Sequence, residues 1–165
     1  WEDGVPLLVE RKGFIPDSGG SGRFRGGMGQ EFRVRVLCDE ATLPIRADRT
    51  RNPSPGLFGG RPGRKGRVLR NGTEPLHPKS PTTAKFGDTV SWQLAGGGGY
   101  GESLERDLER VLADVIDGLV SLKTAKRDYG VVVTEEQIGF VLDREASETL
   151  RRSMLKQRTV LSDTE

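Results

Sequence analysis

The alternation of apolar and polar side chains changes its period near residue 102. Before that point the ordered pieces are short and alternate in the strand manner, separated by clusters of turn residues. Phe32-Arg-Val-Arg-Val-Leu37 has a period of two, which turns Phe32, Val34 and Val36 toward a core and Arg33 and Arg35 toward water or a partner. Pro6–Arg11, Leu43–Ala47, Gly66–Arg70 and Thr89–Leu94 give further strands, the last entered through a Gly87-Asp88 turn. Strands at this spacing predict a mostly antiparallel sheet or sandwich.

After residue 102 the period is helical. Leu104, Leu108, Val111, Leu112, Val115, Ile116 and Leu119 fall on one stripe, with Ser103 placed as N-cap and Gly118 near the end. Ser121 is positioned to cap a second short helix through Arg127, closed by a left-handed Gly130. Val131–Val133 and Ile138–Leu142 read as two strands around a Thr134–Gln137 turn. Asp143 then caps a last helix that carries Ala146 and Leu150 inward and Arg151 and Arg152 outward. The expected fold class is therefore α+β. A Gly/Pro-rich β region spans 1–102, a helical region packed on it spans 103–157, and a tail covers 158–165, together one domain-sized unit.

Composition sharpens the same boundary, because 20 of the 23 glycines and all 9 prolines precede residue 102. In 165 residues this allows one domain with a thin core. The chain starts at Trp1 rather than Met, and the expectation is that it was cut from a longer polypeptide. A net charge of +2 carries no nucleic-acid footprint, and no apolar run reaches the length of a membrane span. The single cysteine, Cys38, forms no internal disulfide, which leaves a reduced, cytoplasmic setting as the default.

Candidate chemistry centres on two glycine-rich stretches, Pro16–Gly29 and Ala95–Gly101. The first has the makings of an anion cradle, with Arg23 and Arg25 as forked donors, yet it lacks the phosphate-loop pattern that ends in Gly-Lys-Ser/Thr. Its Arg23-Phe-Arg-Gly-Gly27 run is a single copy of an RNA-binding type of segment, not a tract. The second stretch suits either an anion beside a helix N-terminus or a crowded backbone crossing, and the crossing is the stronger reading. Tyr100 either stacks on a ligand or plugs that crossing. Lone His77 and lone Cys38 exclude an internal zinc-type site and leave His77 as a solvated surface residue. Arg46, Arg49 and Arg51 form a short basic run with a ligand role open beside the solvated one.

The motifs taken in order resemble the C-terminal portion of the hydantoinase B and 5-oxoprolinase family, whose relatives include large subunits of acetone and acetophenone carboxylases. Asp17-Ser-Gly-Gly with Arg25-Gly-Gly-x-Gly29 carries the resemblance. So do Pro55-Gly-Leu-Phe-Gly-Gly-Arg-Pro-Gly63, Lys79, Gly87-Asp88, the tetraglycine, and Arg106-Asp107 through Asp128-Tyr-Gly-Val-Val-Val133. One departure is Glu102-Ser103, where the family usually has Asp-Pro; there the chain is expected to gain a hydroxyl cap.

The resemblance implies part of the B component of an ATP-dependent cyclic-amide hydrolase, inactive alone. ATP activates the amide by phosphorylating its oxygen. ATP with Mg is held mainly by a hydantoinase A-like partner, and any metal belongs to the N-terminal region of the B component rather than to this chain. Implied partners are that A-like protein, the remainder of the B component and a small cyclic amide such as a hydantoin or 5-oxoproline, with no nucleic acid and no membrane. The alternatives are part of a ketone carboxylase or a non-catalytic interaction module. No catalytic residue transfers; Asp17, Ser18, Arg23, Arg25, Gly97, Gly98 and Tyr100 stand as substrate-side or interface candidates.

Overall fold

A computed structural model describes residues 5–162. It is α+β, with antiparallel sheets and three helices. Seven strands come first: β1 (Leu7–Phe14), β2 (Gln30–Val36), β3 (Glu40–Leu43), β4 (Arg67–Arg70), β5 (Glu74–Pro75), β6 (Thr82–Lys85) and β7 (Thr89–Gln93). Five of them form an antiparallel sheet in the order β1-β2-β7-β4-β5, while β3 and β6 pair as a separate ribbon. The alternation in β2 sets the layers. Val34 and Val36 are 1% and 0% exposed, and with Leu7, Val68 and Val90 they pack against Leu43 and Ala84 of the ribbon.

Two strand boundaries differ from the pattern in the sequence. The apolar alternation does continue through Leu43, Ile45 and Ala47, all buried. The ladder nevertheless stops at Leu43, where Pro44 has no N–H to offer and Thr82 is the last partner. The segment beyond is held instead by the Ala47 N–H donating to Pro78 O at 2.9 Å. Strand β6 has one buried apolar residue, Ala84, and follows Pro81, so its sequence carries almost no period.

The later elements are α1 (Leu108–Ile116), α2 (Leu122–Tyr129), the hairpin β8 (Val132–Glu136) and β9 (Gly139–Asp143), and α3 (Arg144–Ser162). Of the tail expected over 158–165, residues 163–165 lie outside the described residues, as does Trp1. Val111, Val115, Val120, Ala125, Tyr129 and Val131 form a second core, each 4% exposed or less. The Ser121 hydroxyl accepts from Thr124 N at 3.1 Å and Gly130 closes α2 at φ 61°, as its sequence predicts. Asp143 likewise caps α3 through Ala146 N, 2.9 Å. The hairpin turns later than expected: β8 runs on through Glu136, and the turn is the two residues Gln137-Ile138 rather than Thr134–Gln137.

Ser103 is not the N-cap of the first helix. It opens a 3-10 turn over Ser103–Glu105, its hydroxyl donates to Asp128 O at 2.6 Å, and Arg106 then leaves the helical path at ψ 135°. The helix begins after Asp107, whose carboxylate accepts from Arg110 N at 3.1 Å. A buried hydroxyl committed to another helix's carbonyl is unable to cap its own.

Candidate functional site

The glycine-rich stretches assemble into one body in which backbone packs directly on backbone. Ala95–Tyr100 leaves β7 and runs between Ser18–Gly22, the Phe24–Gly27 segment and the Pro55–Arg64 loop. Its hydrogen bonds go to all three. Gly20 N–H donates to Gly97 O (2.8 Å), Gly97 N–H to Gly27 O (2.9 Å), Gly99 N–H to Arg61 O (2.9 Å) and Gly96 N–H to Arg64 O (3.0 Å). The outer segments are tied in turn, with Arg61 N–H on Ser21 O at 2.7 Å and Arg64 N–H on Ser18 O at 2.8 Å.

Glycine is required here by distance, since none of the four central glycines has a positive φ. A Cβ on Gly96 would stand 1.8 Å from Ser18 O, and one on Gly98 would stand 1.8 Å from Pro55 O. One on Gly99 would meet Ser21 O at 2.2 Å. The crowded crossing is therefore what the tetraglycine builds. The amides of Gly20, Gly26, Gly96, Gly97 and Gly99 are engaged with carbonyls, so these groups form no cradle for a nucleotide phosphate.

The seven candidate residues separate by what they touch. Ser18, 0% exposed, donates to Ile15 O at 2.6 Å and accepts from Gly29 N at 2.8 Å, closing its own loop. Asp17, held at φ 58°, docks the loop onto the helical layer: its N–H reaches Leu119 O at 2.9 Å and its carboxylate accepts from Ser121 N at 2.8 Å. Gly97 and Gly98, both half-buried, belong to the central segment of the bundle. Arg25 runs to α1, where Asp114 accepts its Nε and Nη2 at 3.2 Å each. Arg106 Nη2 reaches the same carboxylate at 2.8 Å, and its Nη1 donates to Arg23 O at 3.2 Å. Asp114 is 7% exposed and Arg106 8%, so this three-part ion pair is a buried bolt between bundle and helix.

Arg23 and Tyr100 stand apart because they face outward. Tyr100 bridges the backbone of Phe24 on one side and Leu57 on the other. Its ring lies 5.1 Å from Phe58 and 6.2 Å from Phe24, and the Arg23 guanidinium sits 5.9 Å from the Phe24 ring. All three rings are exposed, Phe58 by 77%. The bundle thus ends in an aromatic rim beside a cleft of about 300 Å³ lined by Arg23, Phe24, Glu105, Asp107 and Arg110.

Sequence reasoning gave no role to Asp114, Arg106 or Glu31. The signal for Asp114 was its place on the apolar stripe between Val111 and Val115, where a carboxylate demands a cation. Glu31 is 6% exposed on the polar face of the main sheet. Burial works to raise its pKa, but hydrogen bonds from Arg33, Ser91 and Gln93 and the Arg33 charge outweigh that and hold it below the usual carboxylate value. Arg11 adds a contact at 2.9 Å. Among the described residues no group of three His, Cys, Asp or Glu side chains is placed to hold a metal ion, and no helix is long and apolar enough to cross a membrane.

The glycine-rich stretches thus form a backbone-packed bundle that is joined to a small helical layer through the Arg25–Asp114–Arg106 ion pairs and ends in an aromatic rim. The family model for hydantoinase B/oxoprolinase matches residues 1–103, and the chain belongs to that family. It is 36% identical to the beta component of the caprolactamase of Pseudomonas jessenii over 80% of this chain and 24% of the relative. The crystal structure of the ATP-dependent caprolactamase from that organism superposes with a TM-score of 0.72 at 32% identity, over 92% of this chain and 27% of that one. The B component of a putative D-/L-hydantoinase of Pseudomonas sp. strain NS671 is 33% identical over 92% of this chain and 26% of the relative. The nucleotide-free acetone carboxylase structure shares the fold, with a TM-score of 0.80 at 24% identity, covering 97% of this chain and 26% of that one. The chain spans about a quarter of the length of the curated relatives it matches.

Proposed function

We propose that this chain contributes to the B component of an ATP-dependent hydrolase that opens the C–N bond of a cyclic amide, a hydantoin, lactam or 5-oxoproline. The observation that carries the reading is the family match over residues 1–103, which contains all four segments of the glycine bundle. The caprolactamase and hydantoinase relatives, named for ring amides, support the substrate class. ATP with Mg belongs in this reading to a hydantoinase A-like partner in a cytoplasmic hetero-oligomer. The β region and helical layer act as one unit, with Asp17, Ser18, Arg25, Gly97 and Gly98 keeping the bundle rigid. Arg23 and Tyr100, on the exposed rim, face the substrate side or the partner.

The test is release of ADP and phosphate with hydantoin, 5-oxoproline or caprolactam. It is run on this chain alone, and then with an A-type partner and the remaining three quarters of a relative's B chain. Turnover confined to the assembled mixture is the expected result. Turnover by the chain alone, or none from a stable assembly offered all three rings, overturns the reading.

A further inference from the structure

A second surface lies away from the bundle, where the basic run after Ile45 meets the His77-Pro78-Lys79 turn. Residues 47–52 and 77–79 together line an open cleft of about 790 Å³, within the usual size range of small-ligand sites. The two segments are fixed to each other by Ala47 N–H on Pro78 O at 2.9 Å and by the ion pair between Lys79 Nζ and Asp48. Arg49 adopts a left-handed φ of 52°, uncommon for a side chain of its size, while its carbonyl accepts from Gly66 N at 3.1 Å.

The charges in this cleft are unequal. Asp48 is the carboxylate of the lining, and Lys79 is committed to it; the Lys79 hydrogen bond and charge, with the charge of Arg49, lower its pKa. That leaves Arg49 and Arg51 in surplus, since neither side chain makes a hydrogen bond or salt bridge among the described residues. Other surface arginines here do find carboxylates, as Arg35 does with Glu10 and Arg144 with Glu109. His77 adds a donor. Its Nδ1 accepts from Lys79 N at 3.3 Å and contacts Ser80 Oγ at 2.9 Å, which leaves Nε2 as the ring's donor. Thr50 and Asn52 complete a lining of forked cations and neutral donors, the chemistry that suits a tetrahedral, multiply charged anion.

We propose that the cleft between residues 47–52 and 77–79 binds a small phosphate-bearing anion, with Arg49 and Arg51 as the principal ligands and His77 as a further donor through Nε2. The inference does not rest on the cyclic-amide reading and stands or falls separately. It is tested by calorimetric titration of the purified chain with pyrophosphate, inorganic phosphate and ADP, and with citrate as a carboxylate control.

Saturable pyrophosphate binding is expected, about tenfold weaker in Arg49→Gln/Arg51→Gln and unchanged in Lys123→Gln/Lys126→Gln, which removes the same charge from α2. Arg51→Gln alone, at an exposed position without positive φ, keeps the test readable if replacing Arg49 disturbs its loop. ADP binding as well as pyrophosphate points to a nucleotide phosphate, and inorganic phosphate competing with both points to the free anion; either result supports the site. Absence of saturation, equal weakening in the lysine control, or citrate binding as tightly as pyrophosphate overturns the proposal.

Discussion

The main β core and the glycine bundle lie side by side in one chain and are built on opposite rules. In the β core, Val34, Val36, Val68 and Val90 fill the space between a sheet and a ribbon, and cohesion comes from apolar side chains taken out of water. In the bundle the chains meet without side chains, and cohesion comes from interlocked amide hydrogen bonds at contact distance. The two respond differently to change. A side-chain core relaxes around a lost or added methyl group, whereas a backbone contact has nothing that moves except the backbone itself.

Replacing Gly98 by alanine tests this most severely. Its Cβ would stand 1.8 Å from Pro55 O, which is carbonyl and not the tip of a flexible chain. The expected loss is about 4 kcal/mol or more in urea unfolding, in the range reserved for major disruption. Val34→Ala, at 1% exposure in the β core, is expected to lose about 2 kcal/mol. Equal losses at the two positions erase the distinction between the regions.

The bolt between bundle and helical layer comes next. Asp114→Ala leaves the Arg25 and Arg106 guanidinium groups, with side chains 16% and 10% exposed, without their shared carboxylate. Removing one member of a buried ion pair costs about 3 kcal/mol. The same variant is expected to speed amide exchange at Asp17, Leu119 and Ser121, where the layers join. A loss below about 1 kcal/mol makes the triad a surface-like pair and detaches it from the comparison.

How far the sequence revealed all this depends on which physics shaped each piece. The clean period of β2, the cap at Ser121 and the left-handed Gly130 are local effects, and they are legible. The end of β3 at Pro44 is legible in principle, because the missing N–H outweighs an apolar alternation that runs on to Ala47. Ser103 misled because a hydroxyl ahead of an apolar stripe looks like a cap; only the fold brings Asp128 O within its reach. The tetraglycine announces a close approach but not its partners, since Ser18, Gly27, Pro55 and Ser21 come from distant parts of the chain. Asp17, Ser18 and Arg25 were visible as part of a motif, yet their tasks as loop closure and bolt depend on contacts more than 80 residues away for Asp17 and Arg25. The exposure of Arg23 and Tyr100 has the same non-local origin.

Alkaline titration separates the helical layer from the bundle without mutation. Tyr129, 1% exposed in the second core, has its pKa pushed up to about 12, first by burial; the nearby Arg106 charge opposes the rise and Asp114 adds to it. In the unfolded chain the phenol ionises near pH 10. Its contribution to stability is then complete below pH 10 and is lost as pH rises from 10 to 12. The loss reaches about 2–3 kcal/mol. Phenolate absorbance followed beside helical circular dichroism is expected to show one tyrosine ionising together with loss of α1 and α2. Ionisation with the helices intact places Tyr129 in contact with water.

The smallest effect is the most discriminating. Gly27 belongs to the same Arg-Gly-Gly motif as Gly26, and composition alone makes the two equivalent. A Cβ on Gly26 would stand 2.1 Å from Gly97 O, while one on Gly27 meets nothing within 4 Å, and neither residue has a positive φ. Gly27→Ala is therefore expected to change stability by less than about 1 kcal/mol, with a small gain because alanine restricts the unfolded chain. Gly26→Ala is expected to behave like Gly98→Ala. If Gly27→Ala is as damaging as its neighbour, the bundle demands glycine for backbone freedom throughout rather than for contact at particular positions. If it is neutral, the glycine requirement is set atom by atom by what lies opposite, and the remaining glycines of the motif can be ranked by that distance.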